Sequence, residues 1–377
     1  MAKKTRVALL FGGRSAEHDV SILSAGAVHT HLDKDRFDIT SIYVDRQGRW
    51  RTVESPQVPA EELTQGESAS FLPWSPQIEG ERFKADIYFP VLHGPFGEDG
   101  TVQGLFELAG VAYVGAAVLS SAAGMDKAVA KALFQSRALP VGRFEVLLEQ
   151  DWREGPESVL RRLQEAYAPP FFVKPANLGS SVGISKVKAH TETGAAIEAA
   201  LRYDRKILVE EGISGREIEC SVLGNDQPRA SLPGEVFPFR DFYDYRDKYI
   251  DGKTRFGIPA ELTKPNTEEI RHLAVEAFRA VDGCGMARVD LAVQNTFLVR
   301  PRAYAEVRLQ LLSANDRRCR DEYDDDSRNG REPSHTQPPN RNSQSFPSTF
   351  PNGGGGRTHI TLMSAVLSWR ACCSSHG

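Results

Sequence analysis

Lysines beside small, flexible loops are the first residues in this chain to suggest chemistry. Lys174 follows Phe171-Phe172-Val173, which places a cation at the end of an apolar strand. The next run, Asn177-Leu178-Gly179-Ser180-Ser181-Val182-Gly183, is rich in N–H and hydroxyl donors, a composition that can close over phosphates. It is not a Walker A loop, because Gly179 and Gly183 lack the G-x-x-x-x-G-K spacing and Lys186 is misplaced. Alone, the loop is equally a hairpin connection; strand lysine and Gly/Ser loop together point to a nucleotide.

Three other places carry charge where an element ends or alternates. Gly12-Gly13-Arg14-Ser15-Ala16-Glu17-His18 joins a strand to a helix, and helix N-termini favour anions. A plain tight turn, with Glu17 acting only on the helix dipole, is the competing reading. Val209-Glu210-Glu211 puts carboxylates at a strand end, where they either accept from an adenine amino group and ribose hydroxyls or are solvated charges at a junction. Arg288 and Asp290 flank Val289 and so share one strand face, as a site, as the exposed face of an edge strand or as a structural ion pair.

The elements that must position these residues follow from periodicity. Thr5 to Phe11 reads as a buried strand and Ser15 to Leu32 as a helix with Glu17 and Asp19 in its first turn. Phe37 to Asp45 and Ala85 to Leu92 read as further strands, and Val102, Leu105, Phe106 and Ala109 keep a helical spacing. This alternation predicts a parallel sheet with helices on its faces. From Asp126 to Glu210 a helix leads into an α+β module. Beyond Glu217, two strands precede a helix over Ile270 to Val281, with Thr267 as N-cap and Glu268-Glu269 in its first turn, and then the strand Met286 to Val293.

Composition excludes several classes. The 377 residues hold 46 Lys+Arg against 50 Asp+Glu, a net charge of 46 minus 50, or −4, without the basic excess of a nucleic-acid binder. No apolar run reaches the roughly 18 residues of a membrane span. Val7 to Phe11 is too short for a signal-peptide core. The expectation is a cytoplasmic protein that uses neither nucleic acid nor membrane insertion. Five cysteines at irregular spacing give neither a disulfide framework nor a zinc site, and the glycine fingerprint of a Rossmann dehydrogenase is absent.

Six runs, in this order, resemble the D-alanine-D-alanine ligase family of the ATP-grasp superfamily. They are Phe11 to Ser21 (FGGRSAEHDVS), Leu92 to Thr101 (LHGPFGEDGT), Met125-Asp126-Lys127, Val173 to Gly183 (VKPANLGSSVG), Phe242 to Tyr249 (FYDYRDKY) and Met286 to Asp290 (MARVD). The resemblance implies mixed α/β and α+β architecture. An N-terminal Rossmann-like parallel-sheet domain would span 1–124, a central lid 125–212 and an incomplete C-terminal ATP-grasp domain 213–314, followed by an aberrant or disordered tail, 315–377. It implies ATP-dependent formation of D-alanyl-D-alanine for peptidoglycan precursors. One D-alanine carboxylate attacks the γ-phosphate, and the amine of a second D-alanine displaces phosphate from the acyl phosphate.

By the same resemblance, Lys127 and Lys174 bind phosphates and Lys248 follows the transferred phosphoryl group, under the Ser180-Ser181 loop. Glu17 holds the first ammonium, with His93 near the carboxylate. Ser180 and Tyr249 hydrogen-bond with Glu17 to fasten two loops, and Arg288 stabilises the oxyanion. Glu210, Glu211 and Glu217 lie on the adenine and ribose side. Asp290 and Glu306 are magnesium ligands, for two Mg2+ ions in the intact family site, with Mn2+ as a substitute. Tyr249 favours a dipeptide over an ester product, and the Glu17, Ser180 and Tyr249 set argues against another carboxylate-amine ligase. Family members are commonly dimers, so a homodimer is an expectation that no sequence feature carries.

The resemblance breaks after about residue 300. The family's Glu-x-Asn pair is matched by Glu306-Val307-Arg308, and a guanidinium cannot coordinate a cation. The Pro-Gly loop for the second D-alanine is missing. From Asn315 to Arg357, four of 43 residues are apolar, too few to offset the entropy of ordering, so disorder is expected there. A reading-frame change near Val299 to Ala303 would account for both features. The alternative function is therefore a catalytically impaired nucleotide-binding remnant of the family.

Overall fold

The computed structural model describes residues 3–70, 77–78, 81–82, 85–179, 181–238, 254–293 and 303–308. The chain opens with β1 (Thr5–Gly12), α1 (His18–His31), β2 (Phe37–Val44), β3 (Trp50–Val53), α2 (Ala60–Leu63), β4 (Glu67–Ser70), β5 (Gln77–Ile78), β6 (Glu81–Arg82), β7 (Ile87–Val91) and α3 (Thr101–Ala109). The strands form one sheet in the order β6-β5-β4-β3-β2-β1-β7. Its centre is β1, parallel to both β2 and β7. Val7, Leu9 and Phe11 enter the core on one face, while Ala8 and Leu10 enter it on the other, as expected of a parallel strand covered on both sides.

The three expected strands pair in parallel as predicted, and β3 to β6, which the sequence did not signal, extend the sheet by antiparallel pairing. Asp45-Arg46-Gln47-Gly48 turns the chain straight back. Asp45 N–H donates to Arg49 O at 2.9 Å, and Gly48 has φ +84°. A link this short cannot make the crossover that parallel pairing requires. Helix α1 also starts three residues later than periodicity suggests. Glu17 is its N-cap position, and the Glu17 side chain makes no capping bond.

Next come α4 (Val118–Met125) and α5 (Lys127–Ser136), separated by Asp126, whose carboxylate accepts from Ala128 N–H and Val129 N–H. The following module comprises β8 (Phe144–Leu148), α6 (Glu149–Glu154), α7 (Pro156–Ala166), β9 (Phe171–Pro175), β10 (Ser185–Val187), α8 (Thr193–Leu201) and β11 (Lys206–Glu211). Its antiparallel sheet runs β10-β9-β11-β8. Phe171, Val173, Ile207 and Val209 pack with Leu163 and Ile197 in one core. The register Leu208↔Lys174 and Glu210↔Phe172 puts Lys174 and Glu210 together on the opposite face.

The last unit contains β12 (Arg216–Leu223), β13 (Arg229–Ala230), β14 (Gly234–Phe237), β15 (Arg255–Gly257), α9 (Lys264–Ala280), β16 (Met286–Val293) and β17 (Ala303–Arg308). Its sheet runs β15-β14-β12-β16-β17, with β13 beside β12. Ile218, Cys220, Val222, Val289 and Leu291 pack against Ile270, Ala274, Ala277 and Phe278 of α9, leaving the alternate positions to the other face. Thr263, not Thr267, caps α9: its hydroxyl accepts from Asn266 N–H at 3.4 Å. Pro265 is favoured in a first turn, so the helix begins about a turn earlier than a Thr267 cap would place it, and Glu268-Glu269 fall beyond that turn. The expected disordered tail lies outside the described residues.

Candidate active site

Two loops meet at the C-terminal ends of β1 and β7. These strands are neighbours, with Phe11 opposite Val91, so the turn after β1 and the loop after β7 leave the sheet side by side. This is where open α/β sheets bind ligands. Gly12 and Gly13 have φ +91° and +93°; a Cβ on Gly12 would lie 2.3 Å from Val44 O, so the turn needs glycine there. Ser15 ties the loops together: its hydroxyl donates to His93 O at 2.6 Å and accepts from Glu17 N–H at 3.1 Å.

Glu17 is 2 % exposed, and its carboxylate lies against two glycines. A Cβ on Gly94 would sit 2.3 Å from Glu17 Oε2, and one on Gly179 would sit 3.1 Å from the same oxygen. Gly179 belongs to the small-residue loop after Lys174, so the four-stranded module reaches the N-terminal carboxylate. His93, equally buried, feels both the negative charge of Glu17 and the positive charge of Arg288. Glu17, His93, Arg288 and the Gly179 loop therefore converge on one region.

Arg288 is anchored on β16. It donates to Asp290 through Nε at 2.7 Å and Nη2 at 2.9 Å, and its Nη2 lies 3.3 Å from Glu219 Oε1. Glu219 is opposite Asp290 in the β12–β16 register, which places it on this charged face; Glu217, two residues earlier on β12, shares that face. On β17, Glu306 stands opposite Asp290 and Arg308 opposite Arg288. Two carboxylates suit a hard cation such as Mg2+, but the guanidinium at the third family position does not. The donor set fits that ion only in part.

The lysines expected on the phosphate side are held by acceptors. Lys174 Nζ lies 2.6 Å from Glu210 Oε2, and the buried ammonium of Lys131 binds Glu210 Oε1. Glu210 is 5 % exposed, which rules out the solvated-charge reading for it. Glu211 is less buried and accepts from Arg143 N–H at 2.8 Å. Lys127, at the start of α5, donates to Ala176 O at 3.4 Å and to Leu178 O at 2.5 Å. Its ammonium thus pins the small-residue loop from the α5 side. Ser181 is buried with φ +60°. Ser180, Lys248 and Tyr249 lie outside the described residues.

Four participants were not singled out from the sequence. Lys131 is one helical turn beyond Lys127, on the same face. Glu219 alternates with Glu217 along β12. Both signals were present. Glu98 lay inside a quoted run without a role, and Ser24 gave no signal, because its partner is 69 residues away.

The comparisons with known proteins agree with this geometry. Two family models match: D-ala D-ala ligase N-terminus over residues 6–116 and D-ala D-ala ligase C-terminus over residues 133–300. The chain is similar to a D-alanine--D-alanine ligase of Bacillus velezensis, at 46 % identity over 297 residues, covering 76 % of this chain and 84 % of the relative. A Chloroherpeton thalassium D-alanine--D-alanine ligase is 46 % identical over 310 residues, covering 77 % and 84 %. Among solved structures, the D-alanine-D-alanine ligase from Coxiella burnetii matches with TM-score 0.70 at 35 % identity, covering 81 % of this chain and 85 % of that one. The VanG D-Ala:D-Ser ligase from Enterococcus faecalis matches with TM-score 0.69 at 32 % identity, covering 81 % and 90 %.

Proposed function

The chain belongs to the D-alanine-D-alanine ligase family, and from that premise we propose how its residues divide the work of joining two D-alanines at the expense of ATP. The fold is ATP-grasp and the activity is ligation for peptidoglycan synthesis. The observation that carries the site assignment is the meeting of Glu17, His93, Arg288 and the Gly179 loop.

Glu17 takes the ammonium of the first D-alanine and His93 lies on its carboxylate side. Arg288 supplies positive charge where an oxyanion develops during attack by the second amine. Such preorganised charge is most effective in a water-excluded site, and the burial of Glu17 and His93 supports one. Lys174 and Lys127 lie on the triphosphate side. The Lys131–Glu210–Lys174 group keeps the phosphate-binding cation compensated until the nucleotide arrives, and Glu210, Glu211 and Glu217 make the base and ribose edge. The four-stranded module of residues 125–212 acts as the lid between the flanking units, 1–124 and 213–314. Bound Mg2+ would neutralise phosphate charge, with Asp290 and Glu306 as its carboxylate ligands. Among the described residues no helix is long and apolar enough to cross a membrane, in keeping with work on a cytoplasmic precursor.

The test is ADP release from the full chain with ATP and Mg2+, comparing D-alanine with L-alanine and D-lactate. D-alanine alone should support turnover. Stabilisation by ATP without turnover on any of the three would instead favour the impaired-remnant reading, which Arg308 motivates.

A further inference from the structure

His93 is enclosed by a pair of groups that the ligation mechanism above does not use. Its Nε2 is 3.0 Å from Ser24 Oγ, on α1. Its Nδ1 is 3.6 Å from Glu98 Oε1, an ion-pair distance, and that buried oxygen accepts no hydrogen bond among the described residues. The other Glu98 oxygen accepts from Gly94 N–H at 2.9 Å, which closes the loop between His93 and Glu98. All three side chains are buried. Ser24 thus engages one ring nitrogen and the Glu98 carboxylate faces the other.

We propose that Ser24 and Glu98 are positioning residues for His93, fixing the ring so that it meets the first amino acid as an oriented cation and not as a proton acceptor. The proposal rests on the placement of that amino acid between Glu17 and His93 given above. The charged groups facing the ring are Glu98 from its own loop, Glu17 from the start of α1 and Arg288 from β16. Burial pushes the imidazole toward its neutral form and Arg288 does the same, but the Glu98 carboxylate and then Glu17 outweigh them, so its pKa is raised. Glu98 is also raised, by burial first, against the opposing pull of His93, with Glu17 adding to the rise. Both shifts run toward protonation, so the two side chains together favour holding a proton between them. A zwitterionic substrate then finds a carboxylate for its ammonium and, for its carboxylate, a cation held between Ser24 and Glu98.

The test uses the full chain and Glu98→Gln, with Glu98→Asp and Ser24→Ala as companions. Ring-nitrogen NMR of the unliganded protein follows His93 against pH, and steady-state kinetics give KM for D-alanine at the first site. Glu98→Gln should lower the His93 midpoint and raise first-site KM about tenfold near pH 8, with a smaller change in kcat. Because the loss is one of ring charge, the KM difference should narrow toward about pH 6. Glu98→Asp should recover most of the effect. Ser24→Ala, which alters no charge, should raise KM by a smaller factor of about three at either pH. An unchanged His93 midpoint in Glu98→Gln overturns the proposal, as does a KM change that is indifferent to pH. The NMR reading needs no turnover, so it decides the role of Glu98 even if wild-type chain consumes no ATP with D-alanine, a result that would count against the functional assignment.

Discussion

Glu306 stands directly opposite Asp290 on the antiparallel β16–β17 pair, and Arg308 stands opposite Arg288. The strand matched to the family's Glu-x-Asn pair is therefore in register with β16, and the register partner of Arg288 is a second arginine. Like charges at facing ladder positions repel, and a guanidinium is no ligand for the divalent ion proposed above. Arg308→Asn is expected to lower the Mg2+ concentration for half-maximal ADP release by about tenfold, equivalent to ~1.4 kcal/mol. A magnesium titration of the variant against the parent chain reads this directly. No change would mean that residue 308 does not face the ion.

Lys131 and Lys174 share Glu210. Removing one partner of a buried pair costs more than the pair contributes, because the remaining charge stays desolvated. Lys131→Met removes one of the two cations that hold Glu210 among the described residues, so Lys174 becomes harder to release to phosphate. The expected result is ATP binding weakened by about tenfold or more, with first-site affinity for D-alanine little altered. Calorimetric ATP titration checks it, and unaltered ATP affinity would show that Lys131 serves folding alone.

Much of this site was legible because local order and chemistry coincide. Lys174 and Glu210 follow apolar strand residues, and Arg288 and Asp290 alternate, so strand periodicity alone puts each charge on a face. What the pattern could not show was pairing between distant segments. Ser24 meets His93 only because β1 and β7 are neighbours, and Lys131 meets Glu210 only because α5 packs beside the lid sheet. The antiparallel extension of the first sheet was hidden for another reason: β3 is short and half-buried throughout, so it shows no alternation. Thr263 was missed because the apolar stripe of α9 begins at Ile270, almost two turns inside the helix.

Arg6 and Asp86 clamp the start of β1 to the start of β7. Arg6 N–H donates to Asp86 Oδ2 at 2.8 Å, and its guanidinium reaches Oδ2 at 3.1 Å and Oδ1 at 2.7 Å. These bonds, the Arg6 side chain first, outweigh burial and bring the Asp86 carboxyl down to about 2 from 3.8. A depressed carboxyl stabilises the fold above its unfolded value, and that contribution is lost as pH falls through the folded one. The stability gap between wild type and Asp86→Asn should therefore be full at neutral pH and close between 3.8 and about 2. Urea denaturation of both proteins across that window measures it. A gap independent of pH would assign the effect to geometry and not to charge.

Gly94 follows His93 with φ +72°, and a Cβ there would fall 2.3 Å from Glu17 Oε2. The obstacle is the far end of a side chain, which can move; the backbone conformation adds strain of order 1 kcal/mol for a residue other than glycine. Gly94→Ala should thus fold, with a modest loss of stability, while displacing the Glu17 carboxylate from its place beside the lid loop. The expected phenotype is a rise of about a hundredfold in KM for D-alanine at the first site, since small misplacements of a positioning group are costly. Binding of ATP to the free protein should stay near normal, because Lys174 and Lys127 are anchored elsewhere. Paired kinetic and calorimetric measurements separate the two. Equal losses of ATP and D-alanine binding would mean that the substitution unfolds the region, and Glu17 would lose its claim to a separate amino-acid subsite.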